Sequence, residues 1–189
     1  MDLLQRLYES SKRIFSSRNI ALLWRDQSSG NARARASYYV KKGRLRRLTR
    51  GIFALPGEYE PRELAGSLYT PSYISFETVL RDHGIIFQYY ETMFVAGNLS
   101  RSVVCDGKKI TYRKIKTEIL LNPLGVEHHV GYSIASKERA LLDMLYRLPK
   151  AGFDNLGGID WARCLELAPI YKSARLLKKV EEFRKKYAE

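Results

Sequence analysis

The fold turns on residues 31–55, Asn31-Ala32-Arg33-Ala34-Arg35-Ala36-Ser37-Tyr38-Tyr39-Val40-Lys41-Lys42-Gly43-Arg44-Leu45-Arg46-Arg47-Leu48-Thr49-Arg50-Gly51-Ile52-Phe53-Ala54-Leu55. Two periodicities meet at Gly43. Before it, Ala32, Ala36, Tyr39 and Val40 recur at the spacing of one helical face. Arg33, Ser37 and Lys41 share a second face, and Arg35, Tyr38 and Lys42 lie beside it. After Gly43 the period shortens to two, with Leu45 alternating with Arg44 and Arg46. The pattern predicts a helix to about Lys42, capped by Asn31 or Ser29 and closed by Gly43 as its C′ residue. It then predicts two short strands, 44–48 and 52–55, joined by Thr49-Arg50-Gly51, where Gly51 is free to take positive φ.

Working upstream, Leu3, Leu4, Leu7 and Tyr8 predict a helix near residues 2–12. Ser16 and Ser17 are caps for a second, with Ile20, Leu22, Leu23 and Trp24 as its apolar face, and residues 26–31 form a turn by composition. Three helices and a hairpin within 55 residues are the plan of a winged helix-turn-helix, assigned to residues 1–56.

Charge follows the same division. Residues 1–55 hold 13 Lys+Arg against 3 Asp+Glu, a net of +10, whereas residues 56–189 hold 20 against 17, a net of +3. A positive field concentrated in one small domain points to a polyanion. Between Arg33 and Arg50 there is no acid at all. The expected interface with double-stranded DNA comprises Asn31, Arg33, Arg35, Ser37, Tyr38, Lys41, Lys42, Arg44, Arg46, Arg47, Thr49 and Arg50. Arg33 and Arg35, near the helix start, are placed for guanine O6 and N7, and Lys41 and Lys42 for phosphates. Arg47 and Arg50 flank a hairpin tip able to follow the backbone or enter a minor groove, and Thr49 is a phosphate donor. DNA is favoured over RNA because paired aromatic strand motifs are missing.

Downstream, residues 57–70 read as a connector with a short helix from Pro61. Residues 71–189 read as an α+β domain, a small mixed or antiparallel sheet with helices. Ser75 is expected to cap a helix through His83, stopped by Gly84. Strands are expected at 87–90, 93–96, 102–105, 110–112, 118–121 and 130–133. Ser136 opens a helix with Ala140, Leu141, Met144 and Leu145 as its buried stripe, and further helices are expected at 159–168 and 170–187. The fold class is therefore α+β throughout.

Several functions are set aside. No apolar run of membrane-spanning length occurs, and the first residues, with Asp2, Arg6 and Glu9, lack the apolar centre of a signal peptide. A cytoplasmic, nucleoid-associated protein is expected. Cys105 and Cys164 form no CxxC motif and read as reduced, packed thiols. Phosphate-loop, zinc-protease and nucleophile-elbow motifs are missing, so no catalytic residue, metal or cofactor is expected. Glu138 and Asp143 are five apart and do not share a helical face, Asp82-His83 and His128-His129 are adjacent pairs that diverge, and Gly157-Gly158 is a lone doublet. The residues leave open a nuclease-like DNA-processing role and a partner-binding module built on Tyr89, Tyr90, Tyr112 and Tyr132.

Three ordered segments resemble one family. Tyr39–Leu55, the segment Pro71-Ser72-Tyr73-Ile74-Ser75-Phe76 onward to His83-Gly84, and Ile134–Asp143 are similar to the AbiEi-type antitoxins of abortive-infection toxin–antitoxin systems. That resemblance implies an N-terminal winged helix that binds inverted repeats in its own promoter and represses the operon. It also implies a C-terminal domain that counters a nucleotidyltransferase-like toxin, commonly without a stable complex, in phage defence. Ser75, His83, Glu138 and Asp143 are carried over on that basis as antitoxicity residues. A stand-alone winged-helix regulator without a toxin is the alternative.

Overall fold

The computed structural model describes residues 3–187. Met1 and Asp2, with which the expected first helix and first domain begin, lie outside the described residues. The chain divides into two compact units. The first runs through Thr70 and takes in the short segments 105–107 and 130–132, and the second holds the rest. Residues 57–70 therefore group with the first unit.

The first unit opens with α1 (Leu3–Glu9), β1 (Ile14–Ser16), α2 (Ser17–Trp24) and α3 (Ser29–Lys41). It continues with β2 (Arg46–Thr49), β3 (Ile52–Ala54) and α4 (Pro61–Leu68). Ser16 starts α2 with a reciprocal capping box: its hydroxyl accepts from Asn19 N at 3.1 Å, and the Asn19 side chain accepts from Ser16 N at 3.1 Å. The cap of α3 is Ser28, one residue before Ser29 and three before Asn31, the two expected caps. Ser28 Oγ accepts from Asn31 N at 3.2 Å, which puts Ser29, Gly30 and Asn31 inside the first turn. At its other end Gly43 has φ +68°. The backbone N–H groups of Arg44 and Leu45 return to the Tyr39 carbonyl at 2.9 and 3.3 Å. This closure consumes Arg44 and Leu45, so β2 starts at Arg46 rather than at residue 44.

The core of this unit gathers Leu7, Phe15, Ile20, Trp24, Ala32, Ala36, Leu45, Phe53 and Leu55. Ala32 and Ala36 are wholly buried, and small residues there let α3 approach α2 closely. The hairpin is part of a three-stranded sheet, order β1-β3-β2, in which β1 pairs antiparallel with β3. The sequence reading missed β1, because three residues carry no measurable period. β1 is an edge strand, and Glu63 of α4 covers it: one carboxylate oxygen accepts from Arg13 N at 2.8 Å and Ile14 N at 2.9 Å. Those N–H groups would otherwise be buried without partners.

The second unit is built on a six-stranded mixed sheet. Its strands are β4 (Ser72–Ile74), β5 (Thr92–Gly97), β6 (Arg101–Cys105), β7 (Lys108–Lys114), β8 (Val126–His129) and β9 (Tyr132–Ala135), in the order β6-β7-β5-β4-β9-β8. β4 runs antiparallel to β5 and parallel to β9, and β5 runs parallel to β7. The helices are α5 (Phe76–Asp82), α6 (Thr117–Leu120), α7 (Lys137–Arg147), α8 (Trp161–Leu167) and α9 (Ala174–Tyr187). The α+β class and the mixed sheet agree with the sequence reading.

Four local expectations fail. Residues 87–90 are not a strand, because side chains take their backbone groups: Asp154 accepts from Phe87 N at 2.7 Å and Arg81 donates to the Tyr90 carbonyl at 2.9 Å. Residues 118–121 are helical, with Ile119 and Leu120 turned inward. Residues 130–133 split at Gly131, φ +85°, which turns the chain between β8 and β9. The last helix starts at residue 174, after a 3-10 turn over Ala168–Tyr171.

Candidate nucleic-acid interface

α3 and the β2–β3 hairpin frame an open groove of about 660 Å³, lined by Gly30, Arg33, Ala34, Ser37, Arg47, Thr49 and Arg50 among others. The stripe Ala32-Ala36 faces inward, which turns Arg33, Ala34 and Ser37 outward. Arg47 ties the two walls together. Its guanidinium donates to Ser37 Oγ at 2.5 Å and lies 5.6 Å from the Phe53 ring centre. The hairpin turn is held at its base by Ser17, whose backbone N and hydroxyl donate to the Gly51 carbonyl at 2.8 and 3.2 Å. Gly51 has φ +79°, a conformation that a side chain would strain.

The cations differ in how free they are. Arg33, Lys41, Arg44 and Arg50 are exposed and form no ion pair among the described residues. Lys42 sits over the Tyr38 ring at 5.8 Å, and Tyr38 packs edge-on against Tyr39. Asn31 and Thr49 are exposed at the helix start and the hairpin. Two arginines are partly neutralised. Arg46 donates to Asp106 Oδ2 at 2.7 Å, an oxygen that also accepts from Tyr59 OH. Burial and the Asp106 carboxylate hold the Tyr59 hydroxyl well above the ordinary phenol range. Arg35 pairs with Asp26 at 3.1 Å. The sequence reading sorted these arginines by position, with Arg35 toward base edges and Arg46 on the first strand of the hairpin, and could not see that each has a carboxylate partner.

Sequence reasoning also passed over a second cationic hollow of about 390 Å³, where Arg18 and Arg25 meet the start of α3. The visible signal was Asp26 itself, the lone acid between Glu9 and Glu58. Its position beside a basic helix marks it as a partner of that helix.

In the second unit, the four residues carried over from the family do not form one site. Ser75 and Asp143 are wholly buried together, and Ser75 Oγ donates to Asp143 Oδ2 at 2.7 Å. Ser75 therefore occupies the N-cap position of α5 without making a capping bond, which corrects its expected role. Tyr73 and Tyr171 donate to the same carboxylate at 2.9 and 2.7 Å. Arg139 Nε stands 3.7 Å away as an ion pair without a hydrogen bond, and its Nη groups donate to the carbonyls of Ile119 and Leu124 and to Tyr73 OH. Burial pushes the Asp143 carboxyl up, opposed by Arg139 and the three hydroxyls, and burial beside Asp143 raises both tyrosines. Such an assembly fixes the packing of α5 and α7 on the sheet and is closed to solvent. Glu138 is buried on another side of α7, where it accepts from Asp160 N at 3.4 Å. His83 is exposed at the end of α5.

Among the described residues, no group of three or more His, Cys, Asp or Glu is arranged to hold a metal ion. No described helix is long and apolar enough to cross a membrane. Both cysteines are buried as free thiols, and burial raises each of them, Cys164 to about 12.

Residues 2–56 match the family model described as a transcriptional regulator, AbiEi antitoxin. The match stops at residue 56, so the similar segments at 71–84 and 134–143 lie beyond it. Comparison with curated proteins gives no match.

Proposed function

We propose that this chain, whose residues 2–56 match the family model of AbiEi antitoxin transcriptional regulators, is a sequence-specific DNA-binding repressor of its own promoter. The carrying observation is the groove between α3 and the hairpin, with Arg33 and Arg50, which form no ion pair among the described residues, on its two walls. α3 enters the major groove, with Arg33, Ser37 and the neighbouring Asn31 and Tyr38 toward base edges. Lys41, Lys42, Arg44, Arg47, Thr49 and Arg50 hold the backbone, with the hairpin beside the adjacent groove. Arg35 and Arg46 belong to the interface as well, although each already has a carboxylate partner.

On this reading the protein acts in the cytoplasm on inverted repeats and serves as the antitoxin of a phage-defence operon. Its C-terminal part, residues 71–189, counters a nucleotidyltransferase-like toxin, with or without direct contact. Ser75 and Asp143 act there by maintaining the fold, since neither reaches solvent. His83 is the exposed member of the carried-over set that a partner can touch.

The test is footprinting on the DNA upstream of the protein's own reading frame at moderate ionic strength. Protection of paired half-sites is expected, and removal of residues 1–56 should abolish it. An unprotected upstream region would end the regulator reading. For the antitoxin half, co-expression with an adjacent nucleotidyltransferase-like gene should restore growth, and arrested growth despite soluble protein would refute it.

A further inference from the structure

Asp26 lies in the turn between α2 and α3, where its backbone N donates to the Ala21 carbonyl at 2.8 Å. Its side chain is only 4% exposed, whereas that of its partner Arg35 is 51% exposed. One carboxylate oxygen lies 3.1 Å from Arg35 Nη1 as an ion pair. The other is buried without a hydrogen-bond partner among the described residues. Burying a carboxylate is costly, and one half-exposed arginine returns little of that cost. Asp26 also lowers the positive charge of a surface otherwise built to attract a polyanion. Neither stability nor general affinity accounts for it.

Orientation does. A guanidinium carries five N–H donors in a rigid fork, and Asp26 engages one end of it. The side chain is thus fixed on the flank of α3, with half its surface still presented to solvent. On the regulator reading above, we propose that Asp26 is a positioning residue for base selection. It holds Arg35 in the pose that a base edge requires, so that the arginine's rotamer freedom is lost on folding rather than on binding DNA. Arg35 then reads sequence as an anchored fork, while Arg33, with no ion pair among the described residues, reads from the opposite flank.

Charge and positioning predict opposite signs for one substitution. Asp26→Asn removes a negative charge, so electrostatics alone tightens binding to every duplex. Loss of positioning weakens the cognate duplex only. The experiment measures binding of the full chain to a duplex from its own upstream region and to a scrambled duplex of equal length. We expect Asp26→Asn to weaken the upstream duplex by about tenfold, the scale of freeing one ordered arginine. Scrambled DNA should bind unchanged or tighter, with the same salt dependence. The Arg35→Ala protein should be insensitive to a further Asp26→Asn change. Arg35→Lys, which keeps the charge but loses the fork, should lose the same selectivity, and it serves as the test if Asp26→Asn fails to fold. Equal tightening on both duplexes, tighter cognate binding, an Asp26→Asn effect that persists without Arg35, or full selectivity in Arg35→Lys would each overturn the inference alone. Absence of any preference in the unchanged protein would overturn the regulator reading and this inference with it.

Discussion

Arg50 and Arg46 sit in the same hairpin and differ in one respect, and that difference sets a quantitative test. Arg50 has no ion-pair partner among the described residues, whereas Arg46 already faces Asp106 at 2.7 Å. A cation that neutralises a phosphate releases condensed counterion, so each full contact contributes about 0.9 to the slope of log affinity against log salt. Removing one such contact at 0.15 M salt lowers affinity by about fivefold, since 0.15 raised to the power 0.9 is about 0.2. Arg50→Ala should therefore flatten the slope by about 0.9 and weaken all sequences by about that factor. Arg46→Ala should move the slope far less, because its charge is already balanced inside the protein. Fluorescence anisotropy on a random-sequence duplex between about 0.05 and 0.3 M KCl spans the range in which the slope is readable. Equal slope changes in the two variants would refute the argument from pairing. An unchanged slope in Arg50→Ala would remove the hairpin from the interface.

Arg33→Ala should cost about 1–3 kcal/mol at the cognate site and relax the preference at one base position, read by binding to a single-substitution series. Glu63→Ala strands the N–H groups of Arg13 and Ile14, each worth about 1–3 kcal/mol when left unsatisfied, and thermal unfolding followed at Trp24 should show the loss. Asp143→Ala leaves the Arg139 charge buried without its carboxylate and should destabilise the second unit by about 3–5 kcal/mol, measured by denaturant titration followed at Trp161. A destabilisation below about 1 kcal/mol would show that Arg139 is held by the Ile119 and Leu124 carbonyls alone.

Where a period runs long enough, the chain is legible. Ala32, Ala36, Tyr39 and Val40 do form the inward stripe of α3, and Leu45 is buried between exposed arginines. Gly43 and Gly51 both take positive φ at the two bends assigned to them. β1 and β4, three residues each, are not legible, because so few matches to a period of two carry no information and, unlike the equally short β3, neither belongs to a hairpin with a turn signal. The segment around Ile119 has β-prone composition but is a helix, because the inward turning of Ile119 and Leu120 decides it and composition does not. At the interface, residue type and position on the helix could be read directly. Pairing could not, since Asp106 lies 60 residues from Arg46 and the 9-residue spacing of Arg35 from Asp26 follows no helical rule. The buried cluster around Asp143 was visible only as family pattern, because it draws Tyr73 and Ser75, Arg139, and Tyr171 from three separate stretches of chain.

α3 is seated by two alanines with no exposed surface, while Gly30, Arg33, Ala34 and Ser37 look out into the groove. Seat and lettering are thus carried by different residues of one helix. Changes at the outward positions leave the interior undisturbed, so drift can rewrite the preferred target a base at a time without a foldability penalty. A bulkier residue at either alanine would instead lift the whole helix and blur every contact together. Divergent copies of this gene should accordingly vary at the four outward positions while keeping the inward pair small.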